Sequence, residues 1–574
     1  MKFRHTNPLA ISLVAAVAFS SCVDDKYDLS DIDTTVLVKV NDLTIPINLD
    51  EIELESILEE GEQVKIINGQ YAITEDGDFN SDAINIGKVT VTAQTFEEDR
   101  VDNIPFVPAA SASLPDAGEF KFSLEPQQFK FDAVDIPEEI TGVTALGGDL
   151  TFKFTFNMSG LTAIAKRAEL RDLVIQLPKG LQLTETLGGS YNALTGILSI
   201  ASTSFAGDNL SLTFHATKLN LEDMGAKFDY ASHSLAVSGD YCVKSASLVI
   251  TKADLVQDAT PTMLSLSISY DIPAFTVTTF SGRIKYDIDG VNISDIDLSD
   301  LPDVLTQSGT DISIVNPCIF ISLTNPLGKY GLQAQTGMTI TSWHGEQSKE
   351  YSTNDPYFTI VKGNAQGVSD YCLSPSAPTV VPEGFASPIH VAFTSLSNVL
   401  SGAGLPTRLG ISLDDPKVDD QPVVDLPLGE NIGAVSGKYS FFAPIALTSG
   451  SKIVYSDVAD GWGSEDLDHL TITDLHVRAT LTCDIPLSLD AKAYPIDSEG
   501  DDINNVTIEG ASIKAGSQPQ EVDIHISGSI RGLDGIRYEV TAVADDQELP
   551  LKPNMHIKVS NLRPTVSGYY EKEL

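Results

Sequence analysis

Two Asp-x-His triplets are the residues of this sequence whose types and spacing come nearest to acid–base chemistry. Asp474 precedes His476 by two positions, and Asp523 precedes His525 by the same interval. Both triplets lie in alternating, strand-like runs, in which positions i and i+2 share a face. We therefore predict that each carboxylate lies beside its histidine. A histidine base needs a nucleophile to activate, and the sequence identifies no serine or cysteine for that role.

Enzyme motifs give no further support for catalysis. The sequence contains no G-x-S-x-G, H-E-x-x-H, Walker or G-x-G-x-x-G pattern. Paired carboxylates for glycoside hydrolysis cannot be recognised among 80 acidic residues. We predict a protein that is not an enzyme, and a hydrolase is the third alternative.

A run of oxygen-bearing side chains is the best candidate for a metal site. Asp76, Asp78, Asn80 and Asp82 occupy every second position. Calcium loops use oxygen ligands spaced in this way around a tight turn. The glycine and the final acidic residue of an EF-hand loop are missing. The alternative is a polar hairpin with Gly77 in its turn, so calcium is the one cofactor considered.

A second acidic group surrounds Trp462. Its carboxylates fall in a glycine-containing segment, 456–468, that we predict to be a loop; they are Asp457, Asp460, Glu465, Asp466 and Asp468. Converging carboxylates could bind a cation there. The alternative is a solvated loop held in place by one buried tryptophan.

An aromatic-rich segment is the candidate ligand-binding surface. Trp343, Tyr351 and Tyr357 lie within a polar stretch of fifteen residues. Exposed aromatic rings offer flat apolar surfaces to a ligand. The edge of a β-sandwich would carry the same residues, so both interpretations stay open.

The N-terminus carries an export signal. Lys2 and Arg4 precede an apolar run that ends at Phe19, and Cys22 follows two serines. A basic start followed by about 7–15 apolar residues is typical of a secretory signal and too short to span a bilayer. The cysteine resembles the lipobox of bacterial lipoproteins, in which the signal is cut before the cysteine and the thiol carries lipid. We predict a signal peptide over 1–21 and lipid attachment at Cys22.

The charge of the chain excludes two classes of partner. The sequence has 80 acidic and 36 basic residues, and removal of Lys2 and Arg4 with the signal leaves 34 basic residues and a net charge of −46. Such a surface repels nucleic acid and anionic lipid headgroups. No second apolar stretch approaches 18 residues, so membrane attachment is expected through the lipid alone.

Four further cysteines lie far apart in the sequence. They are Cys242, Cys318, Cys372 and Cys483, without a C-x-x-C pair. Four cysteines allow three complete pairings, and the sequence does not choose among them. We favour small buried apolar side chains for these residues.

Short alternating strands dominate the chain. The segments 151–156, 265–270 and 522–526 alternate strictly between apolar and polar residues, and dipeptides such as Asn68-Gly69 mark turns. Strands that recur every 8–12 residues between such turns are typical of β-sandwiches. We predict an all-β fold of tandem immunoglobulin-like sandwiches with few short helices, which we place in segments 50–60, 299–305 and 395–400.

Charge and proline clusters suggest where these sandwiches begin and end. Residues 413–422 combine prolines with clustered charge and are typical of a linker. The predicted segments are a signal peptide (1–21), a lipidated acidic tether (22–35), a first β-domain (36–145), two sandwiches (146–280 and 281–412), a linker (413–436) and a C-terminal sandwich (437–574).

The C-terminal third carries a further resemblance to a known family, in addition to that of the lipobox and the acidic tether. The residues that carry it are Tyr439–Leu447, Ile453–Tyr455, Gly461-Trp462 and Ala493–Asp497. With the tether, they resemble outer-membrane and surface lipoproteins of Bacteroides-type bacteria. That family has no assigned activity. The resemblance therefore implies a β-fold and an outward-facing location on the outer membrane, and it implies no mechanism.

These observations favour one functional class. We expect a lipid-anchored cell-surface protein that acts as a non-enzymatic binding or interaction module for a glycan or a protein. The alternative is a structural component of the envelope, or a subunit or anchor of a surface appendage, whose sheet edges pair with neighbours.

Overall fold

A computed structural model describes most of the chain. The described residues are 35–44, 52–91, 94–95, 99–106, 116–133, 136–257, 259–307, 309–355, 358–360, 368–419, 422–463, 469–546 and 548–573. The structure is 64% strand and 6% helix, which confirms the all-β class. Cys22 lies outside the described residues.

Strands β1 to β20 cover the first half of the chain. They are β1 (Thr35–Thr44), β2 (Ile52–Glu53), β3 (Val64–Ile67), β4 (Gln70–Asn85), β5 (Val89–Val91), β6 (Gln94–Thr95), β7 (Asp99–Phe106), β8 (Asp116–Phe122), β9 (Gln127–Ala133), β10 (Ile140–Ser159), β11 (Ala168–Gln176), β12 (Leu181–Leu183), β13 (Ser190–Asn192), β14 (Ile197–Phe205), β15 (Asn209–Asn220), β16 (Lys227–Asp229), β17 (Ser234–Thr251), β18 (Thr262–Ile272), β19 (Phe275–Ile284) and β20 (Tyr286–Asp287).

Strands β21 to β40 cover the second half. They are β21 (Ile296–Asp297), β22 (Asp311–Ser313), β23 (Cys318–Thr324), β24 (Ala334–His344), β25 (Gln347–Ser352), β26 (Phe358–Ile360), β27 (Val368–Ser374), β28 (Ile389–Ala392), β29 (Ser401–Ala403), β30 (Arg408–Val418), β31 (Val424–Pro427), β32 (Asn431–Pro444), β33 (Lys452–Ala459), β34 (Leu470–Cys483), β35 (Leu487–Ile496), β36 (Val506–Glu509), β37 (Ala511–Ile513), β38 (Gly516–Ile530), β39 (Gly535–Ala544) and β40 (His556–Glu573).

Helices in the described part of the chain are single turns. The α-helices are α1 (Leu54–Ile57), α2 (Leu221–Met224) and α3 (Asp303–Thr306), and 3-10 turns occupy Leu161–Ala163, Lys252–Asp254, Pro326–Tyr330 and Thr394–Asn398. All three predicted helical segments therefore contain a helical turn, and segment 50–60 alone contains less helix than its apolar spacing indicates. Across the described ranges, every helix is too short or too polar to cross a bilayer.

The strands form six sheets, A to F. Their strand orders are A, β1-β40-β34-β38-β36 with β2 on β40; B, β12-β15-β10-β18-β6 with β5, β7, β19 and β31; C, β13-β14-β11-β17-β16 with β8 and β9; D, β20-β30-β24-β25 with β21 and β26; E, β29-β22-β33-β39-β35-β37; and F, β28-β27-β23-β32-β4-β3.

Apolar faces join these sheets in layers. Phe154 of sheet B meets Tyr241 of sheet C edge to face, with ring centroids 6.1 Å apart. Between sheets A and E, Ile472 and Ile526 pack in one buried cluster with Ile536. The alternation that predicted the strands is thus what creates these inward faces.

The predicted order of domains needs a correction. Strands of segment 36–145 pair with strands from far along the chain: β1 with β40, β4 with β32, β5 with β19, β7 with β18, and β8 and β9 with β17. The boundaries after residues 145, 280 and 412 therefore do not separate the sheets. Periodicity identifies a strand but carries no information about its partner.

The predicted linker, 413–436, is also different in the structure. Its first residues continue β30, and β31 and the start of β32 occupy most of the rest. β30 pairs with β24 as far as Lys417. Three of the charged residues that indicated a linker, Asp414, Asp415 and Lys417, lie along β30, whose pairing supplies the backbone hydrogen bonds.

Candidate functional site

The candidate calcium segment lies within a single strand, which has a β-bulge at Ser81 and Asp82. Asp76, Asp78, Asn80 and Asp82 lie on the exposed face of β4, which pairs with β32 over most of its length. Alternate side chains of a strand are about 6.6 Å apart, whereas calcium needs its ligands within about 2.3–2.6 Å of one point. The predicted turn is not formed. In the described ranges, no three His, Cys, Asp or Glu side chains are placed to share a metal ion.

Gly77 explains why an Asp-Gly pair sits inside a strand. It lies directly opposite Tyr439 of β32, and a Cβ added at Gly77 would be 2.5 Å from the tyrosine ring. The ring, which is buried, covers the glycine. Gly77, which indicated a turn, instead leaves space for the aromatic side chain of Tyr439 on the neighbouring strand.

The two Asp-x-His triplets come together, but with exchanged partners. His476 of β34 lies opposite His525 of β38, and their rings stack with centroids 4.2 Å apart. His476 Nδ1 is 3.0 Å from an oxygen of Asp523, and His525 Nε2 is 3.4 Å from Asp474. The prediction of contact within each triplet is thus corrected, because side chains on neighbouring strands approach more closely than i and i+2 do.

Both carboxylates of this group favour the ionised form. A hydrogen bond from Thr473 Oγ1 lowers the pKa of Asp474 most strongly. Burial is the largest single influence on Asp523 and raises its pKa, but the hydrogen bonds and charges of His476 and Arg478 together outweigh it, so the pKa is lowered. Among the described residues, both imidazoles contact carboxylates. The two histidines and their partners therefore form a row of polar side chains on the outer face of sheet A.

Trp343 lies on β24, and two residues of β30, Arg408 and Gly410, lie against its ring. The Arg408 guanidinium lies 4.0 Å from the ring centroid, and Arg408 also pairs with Asp295 at 3.3 Å. On β30, a Cβ at Gly410 would be 2.7 Å from the ring. A ligand that stacks on this ring would have to displace the arginine.

The other aromatic candidates do not join Trp343 in one surface. Tyr351 is half-buried on β25, and the Lys349 ammonium lies 5.0 Å from its ring centroid. Tyr357 lies outside the described residues.

The second acidic group is divided between a strand and a turn. Asp457 lies in β33, and its Oδ2 accepts hydrogen bonds from Tyr455 at 3.2 Å and Tyr538 at 3.0 Å. Burial, followed by the charge of Asp457, raises the pKa of both tyrosines. Further along, the half-buried Trp462 packs between sheets A and E. Glu465, Asp466 and Asp468 lie outside the described residues.

An apolar cleft lies beside these tyrosines. Leu54 and Leu58, Val304 of α3, and Leu489 and Val540 of sheet E line a volume of about 80 Å³ that is partly open to the surface. No sequence pattern indicated this cleft, because its walls come from six segments that are far apart in the sequence.

One edge of sheet A exposes several apolar side chains. Leu37 is 61% exposed, Val36 and Val38 are about 40% exposed, and Tyr569 of the neighbouring β40 is 43% exposed. Among the described strands, β40 alone pairs with β1, so the second edge of β1 presents backbone donors and acceptors. The features of this edge that discourage pairing are Lys39, the exposed Asp42 and a bulge after Val40, and all of them follow the apolar run Val36–Val38.

Comparison with known proteins finds a distant structural likeness. No protein-family model matches the chain, and no curated protein matches it. A crystal structure at 2.00 Å of a Parabacteroides distasonis ATCC 8503 protein, whose description predicts secretion, is similar at 16% identity over 50% of this chain and 83% of that one. The TM-score is 0.38, which is too low to carry an argument about fold or activity.

Proposed function

We propose that this protein is a lipid-anchored cell-surface module that binds another protein without catalysis. The observation that carries the proposal is the open edge of β1, where Val36, Leu37 and Val38 expose apolar side chains. An extended segment of a partner can add to such an edge through main-chain hydrogen bonds, with side-chain contacts giving specificity. The predicted tether, which ends at residue 35, leads directly into this strand.

The glycan alternative has less support. Arg408 covers the ring of Trp343, the aromatic side chain best suited to a sugar contact. The structural alternative, an envelope or appendage subunit, uses the same β1 edge but pairs it with further copies. The mass of the complex therefore distinguishes the two roles.

A charge at the edge tests the proposal. Leu37→Glu places a carboxylate where a partner strand would pack, and Leu194→Glu is the matched control at a site that is 71% exposed, in the turn between β13 and β14. We expect the wild-type protein and the control, extracted in mild detergent, to show a native mass above that of one chain. Leu37→Glu should fall to the mass of one chain; equal masses for all three proteins would contradict the proposal.

The anchor is tested separately. We expect Cys22→Ala to move the protein from the membrane to the soluble fraction, since the thiol would carry the lipid. Added protease should remove the wild-type protein from intact cells. Membrane retention of the variant would contradict lipid attachment, and protection of the wild type until lysis would place it inside the envelope.

A further inference from the structure

Two of the four internal cysteines lie side by side in sheet F. Cys318 begins β23 and Cys372 lies in β27, which pairs with β23 in the antiparallel sense. Phe320 is directly opposite Cys372, so Cys318 is its diagonal neighbour on the same face. Both thiols belong to one buried cluster with Phe320 and Phe385.

Each thiol also has a hydrogen-bond partner nearby in the sequence: Cys318 Sγ donates to the Asn316 carbonyl oxygen, and Cys372 Sγ lies 3.5 Å from Ser374 Oγ. The interaction between the two thiols raises the pKa of Cys318 and lowers that of Cys372. Asn316 fixes the flanking segments, because its Oδ1 accepts a hydrogen bond from the Ser376 amide at 2.8 Å. Its carbonyl oxygen is 3.4 Å from Cys318 Sγ.

The remaining cysteines lie in other sheets. Cys242 is on β17 of sheet C, and Cys483 ends β34 of sheet A. Neither strand pairs with β23 or β27. The sequence left three pairings open, and the fold brings one pair of cysteines onto adjacent strands.

We infer that Cys318 and Cys372 form a cross-strand disulfide when the chain folds under oxidising conditions. In the cell the inference rests on the proposed export, since oxidising conditions are typical of secreted proteins. The bond closes a loop that contains β24, β25 and β26 and fastens β23 to β27. Because both sulfurs are buried, the reaction belongs to the folding chain rather than to the finished fold.

The chemistry is thiol–disulfide exchange with a small disulfide, here glutathione disulfide. The Cys372 thiolate attacks one sulfur of the oxidant, forms a mixed disulfide and releases one glutathione. The Cys318 thiolate then attacks the Cys372 sulfur and releases the second glutathione. Two protons and two electrons leave the protein thiols, and both glutathione molecules end as thiols.

The test begins with the full chain, unfolded and reduced, and refolded in a glutathione redox buffer. Trypsin cleavage after lysine and arginine places Cys318 in segment 286–329 and Cys372 in segment 363–408. We expect mass spectrometry to find these two segments joined without reductant and separate with it. If both cysteines are instead alkylated in the unreduced, denatured sample, the inference is overturned.

Variants and a cellular sample complete the test. In Cys318→Ser the Cys372 thiol should become fully alkylated without reductant, while Cys483→Ser should leave the 318–372 link intact. Protein taken from cells whose thiols are blocked before lysis separates the two proposals. A bond formed on refolding but missing from cells keeps the disulfide and counts against export; a bond missing from both overturns the disulfide.

Discussion

At the scale of single residues, hydrogen bonds to the carboxylates of sheet A make stability depend on pH. The pKa values of Asp474 and Asp523 are lower in the folded chain than their ordinary value near 3.9, so the folded state binds fewer protons than the unfolded state in acid. Their stabilising effect is complete above that ordinary pKa and is lost as the pH falls through the lowered values.

This argument gives a prediction for Asp523→Asn. We expect the urea midpoint of the wild-type protein to fall as the pH is lowered from about 5 to 2.5. The variant should have a lower midpoint at pH 5 and a smaller fall. In a His476→Gln background the same substitution should have a smaller effect, because the hydrogen-bond partner is gone. Parallel pH curves for wild type and Asp523→Asn would contradict the assignment.

Residue types were easier to predict than residue partners. The spacing predicts two Asp–His pairs, and the structure brings all four side chains together: Asp474, His476, Asp523 and His525. Their exchanged pairing depends on the register of β34 against β38, which places His476 opposite His525. A single sequence contains no signal for that register, because many alignments of two alternating strands bury the same faces.

At the scale of elements, Gly77 shows that a glycine typical of a turn can also lie within a strand. Asp-Gly is typical of a hairpin turn, yet here it continues β4 under the ring of Tyr439. We expect Gly77→Ala to lower the free energy of unfolding by about 1–3 kcal/mol, since the new methyl group would overpack a buried contact.

The matched control for that change is Gly61→Ala. A Cβ at Gly61 meets nothing within 4 Å, so the free energy of unfolding should be unchanged or higher by up to about 1 kcal/mol. Chemical denaturation of the three proteins measures the difference. Equal midpoints for Gly77→Ala and wild type would show that the ring does not rest on the glycine.

The apolar cleft gives a second prediction at this scale. Ala542→Val adds two methyl groups' worth of carbon where Ala542 lines the cavity, so we expect stability to rise by about 0.5–2 kcal/mol. Ala493→Val makes the same change where sheets A and E are closely packed, and it should cost about 1–3 kcal/mol. Thermal unfolding of both variants tests whether there is unfilled space beside Ala542. A loss of stability in both variants would show that there is none.

Strand content followed directly from sequence, whereas strand assembly did not. The alternating run 151–156 lies in β10, and its phenylalanines are buried as the pattern requires. The proline-containing run 413–418 belongs to β30, although proline and charge indicated a linker. The cleft and the β1 edge depend on contacts between distant segments, which local periodicity does not encode.

At the scale of the whole molecule, the two ends of the described chain close one sheet. β1 pairs with β40 from Thr35 opposite Glu573 to Thr44 opposite Thr565, and β40 also pairs with β34. The strand that follows the predicted tether is therefore held by the last strand of the chain. In the sequence, β1 begins thirteen residues after Cys22, the proposed point of lipid attachment.

The most direct measurement is site-specific photo-cross-linking in intact cells. A photoreactive residue would replace Leu37 at the β1 edge in one protein and the still more exposed Leu194 in a second. We expect irradiation to give a discrete adduct of higher mass from position 37 and none from position 194. An adduct of two copies of this chain would favour the structural role, and an adduct with another protein the binding role. The unmodified chain alone at both positions would contradict an interaction through this edge.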